Sequence, residues 1–486
     1  MRFFMKYRTL GLSDRALTPV AAVLFASLLT GCSLAPEYHR PVAPIATQWT
    51  VPNAHTEPSA LSVSALSWQG LFADQKLRQV VQLALDDNRD LRIAVLNIQK
   101  AQAQYRIQRS ELVPQLGISG AEAAQRTPAS VSYTGVGGVT RAYSLDVGVS
   151  AYELDLFGRV RNLKEEARQA YLSTAWSRRA TQISLIAEVA GSYMALAADQ
   201  DLQRLAHETL RSRQHEYDLQ QSLTSVGKSS ELPLHQAESE LENARYQTLI
   251  TDKQVLTDRN ALALLIGTPL PDRLLPTPNT LAGMVSMQPI SAGLPSDLLQ
   301  QRPDIIAAEH SLVGANADIG AARAAFFPSI SLTASAGRAS NALGELFDAG
   351  GRSWSFAPQI NLPIFSGGRL LAQLETSKVE RDIAVAEYEK TIQTAFREVA
   401  DALAEQSVVN RQTEAQQKNV GAAQAAYDFA KIQYANGLTS YLEVLDAQRT
   451  LYTAQQSLIQ SQLSQQNSQV TLYKALGGGW EPAVAE

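Results

Sequence analysis

The hydrophobic pattern changes period in the same order in each half of the chain. From Leu77 to Glu111 apolar residues recur at helical spacing, and the run stops ahead of Pro114. Beyond the proline the period falls to two. It is clearest from Pro328 to Gly337, where Ile330, Leu332, Ala334 and Ala336 alternate with Ser329, Ser331, Thr333 and Ser335. In the first half, Tyr143–Glu153 sets Tyr143, Leu145, Val147, Val149 and Ala151 against Ser144, Asp146, Gly148 and Ser150. One face is apolar and the other carries small polar groups. Strands of about ten residues are long enough to cross a bilayer at a tilt. A hairpin half-buried on a soluble core gives the same alternation. The hairpin tips, 126–141 and 338–353, are rich in Gly, Ser and Thr, as exposed loops are.

After each hairpin a glycine and an arginine open a helical pattern without a break, 159–226 and 369–436. Each would be on the order of 100 Å long at 1.5 Å per residue. Val379, Ile383 and Ala386, then Ile392, Phe396, Val399 and Leu403, recur at spacings of three and four, the seam of a coiled coil. Such a helix requires lateral partners along its length. Gly227 and Gly437 reverse the chain into return helices, 231–266 and 441–476.

Aligned with itself, the chain repeats. Asn88-Arg89-Asp90-Leu91 falls on Arg302-Pro303-Asp304-Ile305, and Pro114 on Pro328; past the first hairpin, Gly158-Arg159 falls on Gly368-Arg369, Glu188-Val189-Ala190 on Glu398-Val399-Ala400, and Gly267 on Gly477. A register held this long predicts a duplication. The expected layout is repeat 1 over 77–267 (hairpin 114–153), an inter-repeat segment 268–296, repeat 2 over 297–477 (hairpin 328–362) and a tail 478–486. Four strands cannot close a barrel or satisfy their edges in lipid, so an oligomer is expected. Two, three or four protomers are geometrically admissible.

The N-terminus changes the picture of where this happens. Arg2, Lys6, Arg8 and Arg15 precede a mostly apolar stretch, Ala16–Leu29, too short to span a membrane stably, so 1–31 is expected to be a signal peptide. Leu29-Thr30-Gly31-Cys32 resembles a bacterial lipobox, which implies cleavage before Cys32 and lipid on it. With one cysteine in the chain, no disulfide can form within it. Ser33 after the cysteine implies, by the same resemblance, sorting to the outer membrane. Residues 32–76 are expected to form an extended segment. Without the leader the balance is 38 basic against 46 acidic residues, a net of −8, which makes nucleic acid an unsuitable partner.

The segments Tyr152–Arg159 (YELDLFGR), Ala292–Ile305 (AGLPSDLLQQRPDI), Gly320–Gly337 (GAARAAFFPSISLTASAG), Ile360–Gly368 (INLPIFSGG), Thr439–Leu451 (TSYLEVLDAQRTL) and Tyr473–Trp480 (YKALGGGW) resemble the outer-membrane efflux factors of the TolC superfamily, in their NodT-type lipoprotein branch. The resemblance covers nearly all of the mature chain. It implies an α+β membrane protein, a homotrimer whose twelve-stranded outer-membrane β-barrel continues into a twelve-helix periplasmic α-barrel. It also implies two partners, a periplasmic adaptor and an inner-membrane pump of the RND type. Residues 268–296 and the chain ends would form the band around the helical barrel.

Within that frame, Asp446 and Arg449 share a helix face near the turn at Gly437. Their spacing alone equally fits a solvated intrahelical ion pair. At the matching positions the first half has Gln236 and Ser239, so the pair is peculiar to one copy. Tyr434, Leu442, Asp446 and Arg449 resemble the family's periplasmic constriction and are expected to form an iris-like gate. Gly227 and Ser229 with Gly437 and Thr439 are the expected adaptor-docking tips, although a glycine at a helix end needs no function to explain it. No nucleophile elbow, metal cluster or paired catalytic carboxylates are legible, and the repeat leaves no room for a catalytic domain. The chain is therefore read as a passive exit duct for drugs or other toxic compounds, not an enzyme, with no cofactor beyond the lipid on Cys32. The alternatives are a coiled-coil lipoprotein tethering envelope layers, and the same duct serving metal-ion export or secretion.

Overall fold

The computed structural model describes residues 33–49, 61–62, 67–133, 135–286, 290–292, 295–348 and 350–478. The leader, Cys32 and most of the C-terminal tail lie outside the described residues. In chain order the elements are β1 (Leu61–Ser62), α1 (Trp68–Leu71), α2 (Gln75–Asp87), α3 (Arg89–Ser110), β2 (Leu116–Thr127), β3 (Gly138–Leu154), α4 (Arg159–Ser225) and α5 (Glu231–Ile266). They continue with β4 (Ile290–Ser291), α6 (Leu298–Gln301), α7 (Pro303–Ala324), β5 (Ser329–Ser340), β6 (Arg352–Asn361), α8 (Arg369–Ala435) and α9 (Tyr441–Ala475). The chain divides into two compact units. One comprises Met1–Arg40, Lys100–Leu172 and His310–Ala386; the other comprises Pro41–Gln99, Ser173–Glu309 and Glu387–Glu486.

The first unit holds an antiparallel sheet in the order β2-β3-β5-β6, with the β3–β5 ladder joining the two hairpins. Cross-strand partners share a face. One face therefore runs through Leu116, Ile118, Leu145, Val147, Val149, Ala334, Ala336, Trp354 and Phe356, with Gly117, Ser144, Ser335 and Ser355 on the other. Ala151 does not extend the apolar face as its spacing suggests. The ladder shifts between Val149 and Tyr152, Ala151 takes a positive φ of 51°, and its N–H is satisfied by Thr333 Oγ1 at 3.1 Å. This β-bulge inserts one extra residue, so Tyr152 and Leu154 carry the apolar face onward opposite Leu332 and Ile330. The strands also run further into the tips than expected, to Thr127 and Ser340. On the same unit, Ser33 Oγ donates to the buried Asn162, and the carbonyls of Leu34 and Pro36 accept from Arg323 and Asn316.

The second unit is helical around Leu77, Val80, Val81 and Ala84 of α2, Val189, Tyr193, Met194 and Leu196 of α4, Leu262 and Ile266 of α5, and Leu472 of α9, all buried. The helix expected over 77–111 is two helices. Asn88 leaves helical geometry (φ −60°, ψ 131°), its Oδ1 accepts the Leu91 N–H at 2.8 Å, and its Nδ2 donates to the Leu265 carbonyl at 2.8 Å. One asparagine thus ends α2, caps α3 and ties both to the end of α5. Arg302 separates α6 from α7 likewise, with Pro303 at the first helical position of α7.

The long helices α4 and α8 are 67 residues each, close to the expected spans. The α8 seam is only partly as expected. Tyr388, Ile392, Ala395, Val399 and Ala402 are buried at spacings of four and three, whereas Val379 and Ile383 are half exposed. A two-residue parallel pairing, Leu61 with Ile290 and Ser62 with Ser291, ties 61–62 to the 268–296 segment; no periodicity announces elements this short. Among the described residues no helix is long and apolar enough to cross a membrane.

Candidate functional site at the helix turns

Both α4 and α8 end in the same capped turn. Gly227 and Gly437 have φ of 71°, which a residue with a Cβ adopts only at a cost. Lys228 and Gly227 N–H donate to the carbonyls of Leu223 and Thr224; Leu438 and Gly437 donate to those of Gln433 and Tyr434. This is the Schellman pattern, which satisfies helix-end carbonyls and turns the chain. Ser229 Oγ lies 3.5 Å from the Ser230 carbonyl, and Thr439 Oγ1 is buried without a partner.

Beyond the second turn α9 is two-faced. Tyr441, Val444 and Leu445 are buried against Ala237 of α5 and against Tyr217, Tyr427 and Tyr434, while Leu442, Asp446 and Arg449 lie on the adjoining flank of the helix and are exposed. Tyr434 and Tyr441 pack with ring centroids 5.5 Å apart, and the fully buried Gln220 of α4 donates to Tyr434 Oη at 3.1 Å. Burial pushes the Tyr441 hydroxyl pKa upward, so it stays a neutral phenol. The four expected constriction residues thus share one end of the second unit: Tyr434 in the packed layer, the other three on the open face.

The charge network extends beyond the Asp446–Arg449 pair. Arg449 Nη1 is 4.0 Å from Asp446 Oδ1, but its Nε and Nη2 both donate to Glu240 of α5, at 3.0 and 2.5 Å. Glu240 is also 3.3 Å from Arg213 of α4, whose Nη1 donates to Gln448. The Glu240 carboxylate therefore holds three helices together. The hydrogen bond to Glu240 raises the Arg449 pKa, whereas burial, outweighing Glu240, lowers that of Arg213. Arg213 and Glu240 are not legible in the sequence as site residues, because Glu240 and Arg449 are 209 residues apart and no helical spacing links them. The available signal is Glu240 itself, next to Ser239, the counterpart of Arg449.

An open four-stranded sheet with one apolar face and helices of 67 residues occur in one chain. The family model "Outer membrane efflux protein" matches residues 80–268 and 294–478, and the chain belongs to that family, the outer-membrane efflux channels of the TolC superfamily. It is similar to the toluene efflux pump outer membrane protein TtgC and the antibiotic efflux pump outer membrane protein ArpC, both of Pseudomonas putida. Each is 49% identical over 468 residues, 96% of either chain. Among solved structures it resembles the open state of the Neisseria gonorrhoeae MtrE outer membrane channel, with a TM-score of 0.83 at 37% identity, covering 92% of this chain and 98% of that one.

Proposed function

We propose that this protein is the exit duct of a tripartite efflux system, working as a homotrimer with a periplasmic adaptor and an inner-membrane RND-type pump. The observation that carries this reading is the sheet: among the described residues its outer strands β2 and β6 each lack a partner on one side, and its apolar face is exposed at Ile118, Trp354 and Phe356. Three copies pairing edge to edge make a closed barrel of twelve strands, which satisfies every edge and turns the apolar face to lipid. The duplication, 77–267 and 297–477, supplies one hairpin and one long helix pair per repeat, and three chains supply a twelve-helix barrel. In support, the family model matches the chain twice.

The lipid anchor is Cys32, after cleavage of 1–31. The turns at Gly227, Ser229, Gly437 and Thr439 meet the adaptor. Tyr434, Leu442, Asp446 and Arg449 form the periplasmic gate, and Glu240 and Arg213 latch α9 behind it. Relatives whose names specify toluene and antibiotic efflux favour organic solvents and drugs as cargo. The test is single-channel recording in planar bilayers of the Asp446→Ala/Arg449→Ala variant, for which a higher conductance than wild type is expected; an unchanged conductance would remove the gate assignment.

A further inference from the structure

Glu240 balances the charge of one of the two guanidiniums that reach it, and the other has no buried counter-charge. The Arg213 side chain is 5% exposed and that of Glu240 11%. Asp446, the remaining carboxylate near Arg449, is 80% exposed and 4.0 Å away, where water and salt screen it. Arg213, Glu240 and Arg449 face a cavity of about 340 Å³ whose walls include Asn243, Tyr452 and Thr453. That is the size of a small-ligand site. Among the described residues lining it, Glu240 is the single carboxylate against two arginines, and the other polar walls are neutral hydrogen-bonding groups. Guanidinium forks match carboxylates and tetrahedral oxyanions in geometry as well as charge.

We propose that this cavity binds a small oxyanion, a carboxylate or a sulfate- or phosphate-type group, which draws Arg449 away from Glu240. The exchange leaves no buried charge bare. Glu240 keeps Arg213, and Arg449, whose side chain is 52% exposed and so reachable, trades one anion for another. Arg449 sits on α9 with Leu442 and Asp446, so releasing it from α5 loosens the constriction. The inference rests on the gate reading above. Carboxylated cargo inside the duct and free inorganic anions share the required chemistry.

The test uses full-length channels in planar bilayers, with chloride replaced by sulfate or by benzoate at constant ionic strength so that screening is unchanged. Open probability is expected to rise at least about fivefold, the low end of couplings between two sites, and to saturate with anion concentration. A response to benzoate alone points to carboxylated cargo; a response to sulfate as well points to inorganic anions. Thr453→Leu and Asn243→Leu, which fill the cavity without altering its charges, should keep the chloride conductance and lose the response. A response that does not saturate, or is equal in both variants and wild type, overturns the proposal. Calorimetric titration of the solubilised protein with sulfate and benzoate separates the site from the gate. Binding that both variants lose, with no change in conductance, keeps the site and removes the gate; no binding to wild type overturns the site.

Discussion

Glu240 pairs with arginines on two different helices, so the variants at this latch are not equivalent. Arg449→Ala removes the exposed partner and leaves Arg213–Glu240 paired, which for a largely solvated ion pair costs about 0–1 kcal/mol. Glu240→Ala instead leaves a buried guanidinium without its carboxylate, and breaking a buried pair from one side costs about 3–5 kcal/mol. The difference should appear locally, because a large assembly does not unfold as one two-state unit. Hydrogen exchange at the amides of 441–452 is expected to accelerate far more in Glu240→Ala than in Arg449→Ala. Equal protection in the two variants would show that Glu240 does not carry the link between α5 and α9. This asymmetry is only half legible in the sequence. Asp446 and Arg449 stand out because they are three apart on one helix, whereas the partner that binds Arg449 more closely comes from another helix and becomes visible only once the helices pack.

At the scale of elements, the junction between the hairpins depends on two glycines. A Cβ on Gly337 would come within 2.7 Å of Asp146 Cα, and one on Gly148 within 2.8 Å of Ser335 Cα. Both contacts are with the opposing strand's backbone, which cannot step aside as a flexible side chain can. A methyl group on Gly117, in the same sheet, would have nothing within 4 Å. Gly337→Val should therefore split β3 from β5 and sharply reduce the folded protein recovered from outer membranes. Gly117→Ala should leave the yield near wild type; if the two behave alike, close approach is not what these glycines provide. The strands themselves are readable because alternation at Ile330, Leu332, Ala334 and Ala336 has no helical interpretation. The bulge at Ala151 is not, since one extra residue reverses the alternation without any change in composition. The break at Asn88 has its clue in the other repeat: the counterpart, Arg302, is followed by Pro303, which starts a helix, and Arg89 occupies the same point in the first copy.

At the scale of the whole molecule, the lipid proposed on Cys32 and the proposed closed barrel would be two different holds on the membrane. Lipid chains hold a protein through about 0.8 kcal/mol per buried CH₂ and leave its strands free of the bilayer. A barrel satisfies its backbone polar groups through its own ladders and presents its apolar face to lipid, so extraction would expose that face and break the closed sheet. Among the described residues β2 and β6 each pair on one side alone, and in the proposed barrel their free edges would be satisfied between copies. Exported behind a leader without a lipobox, the Cys32→Ala protein should therefore stay in the outer-membrane fraction through alkaline carbonate and migrate as an oligomer that dissociates on heating. Release by carbonate would mean that the acyl group is the principal hold and that the strands do not span the bilayer. The outcome separates a duct from a tether without requiring knowledge of the cargo, because a tether has no use for the apolar face formed by Leu116, Ile118, Val147, Trp354 and Phe356.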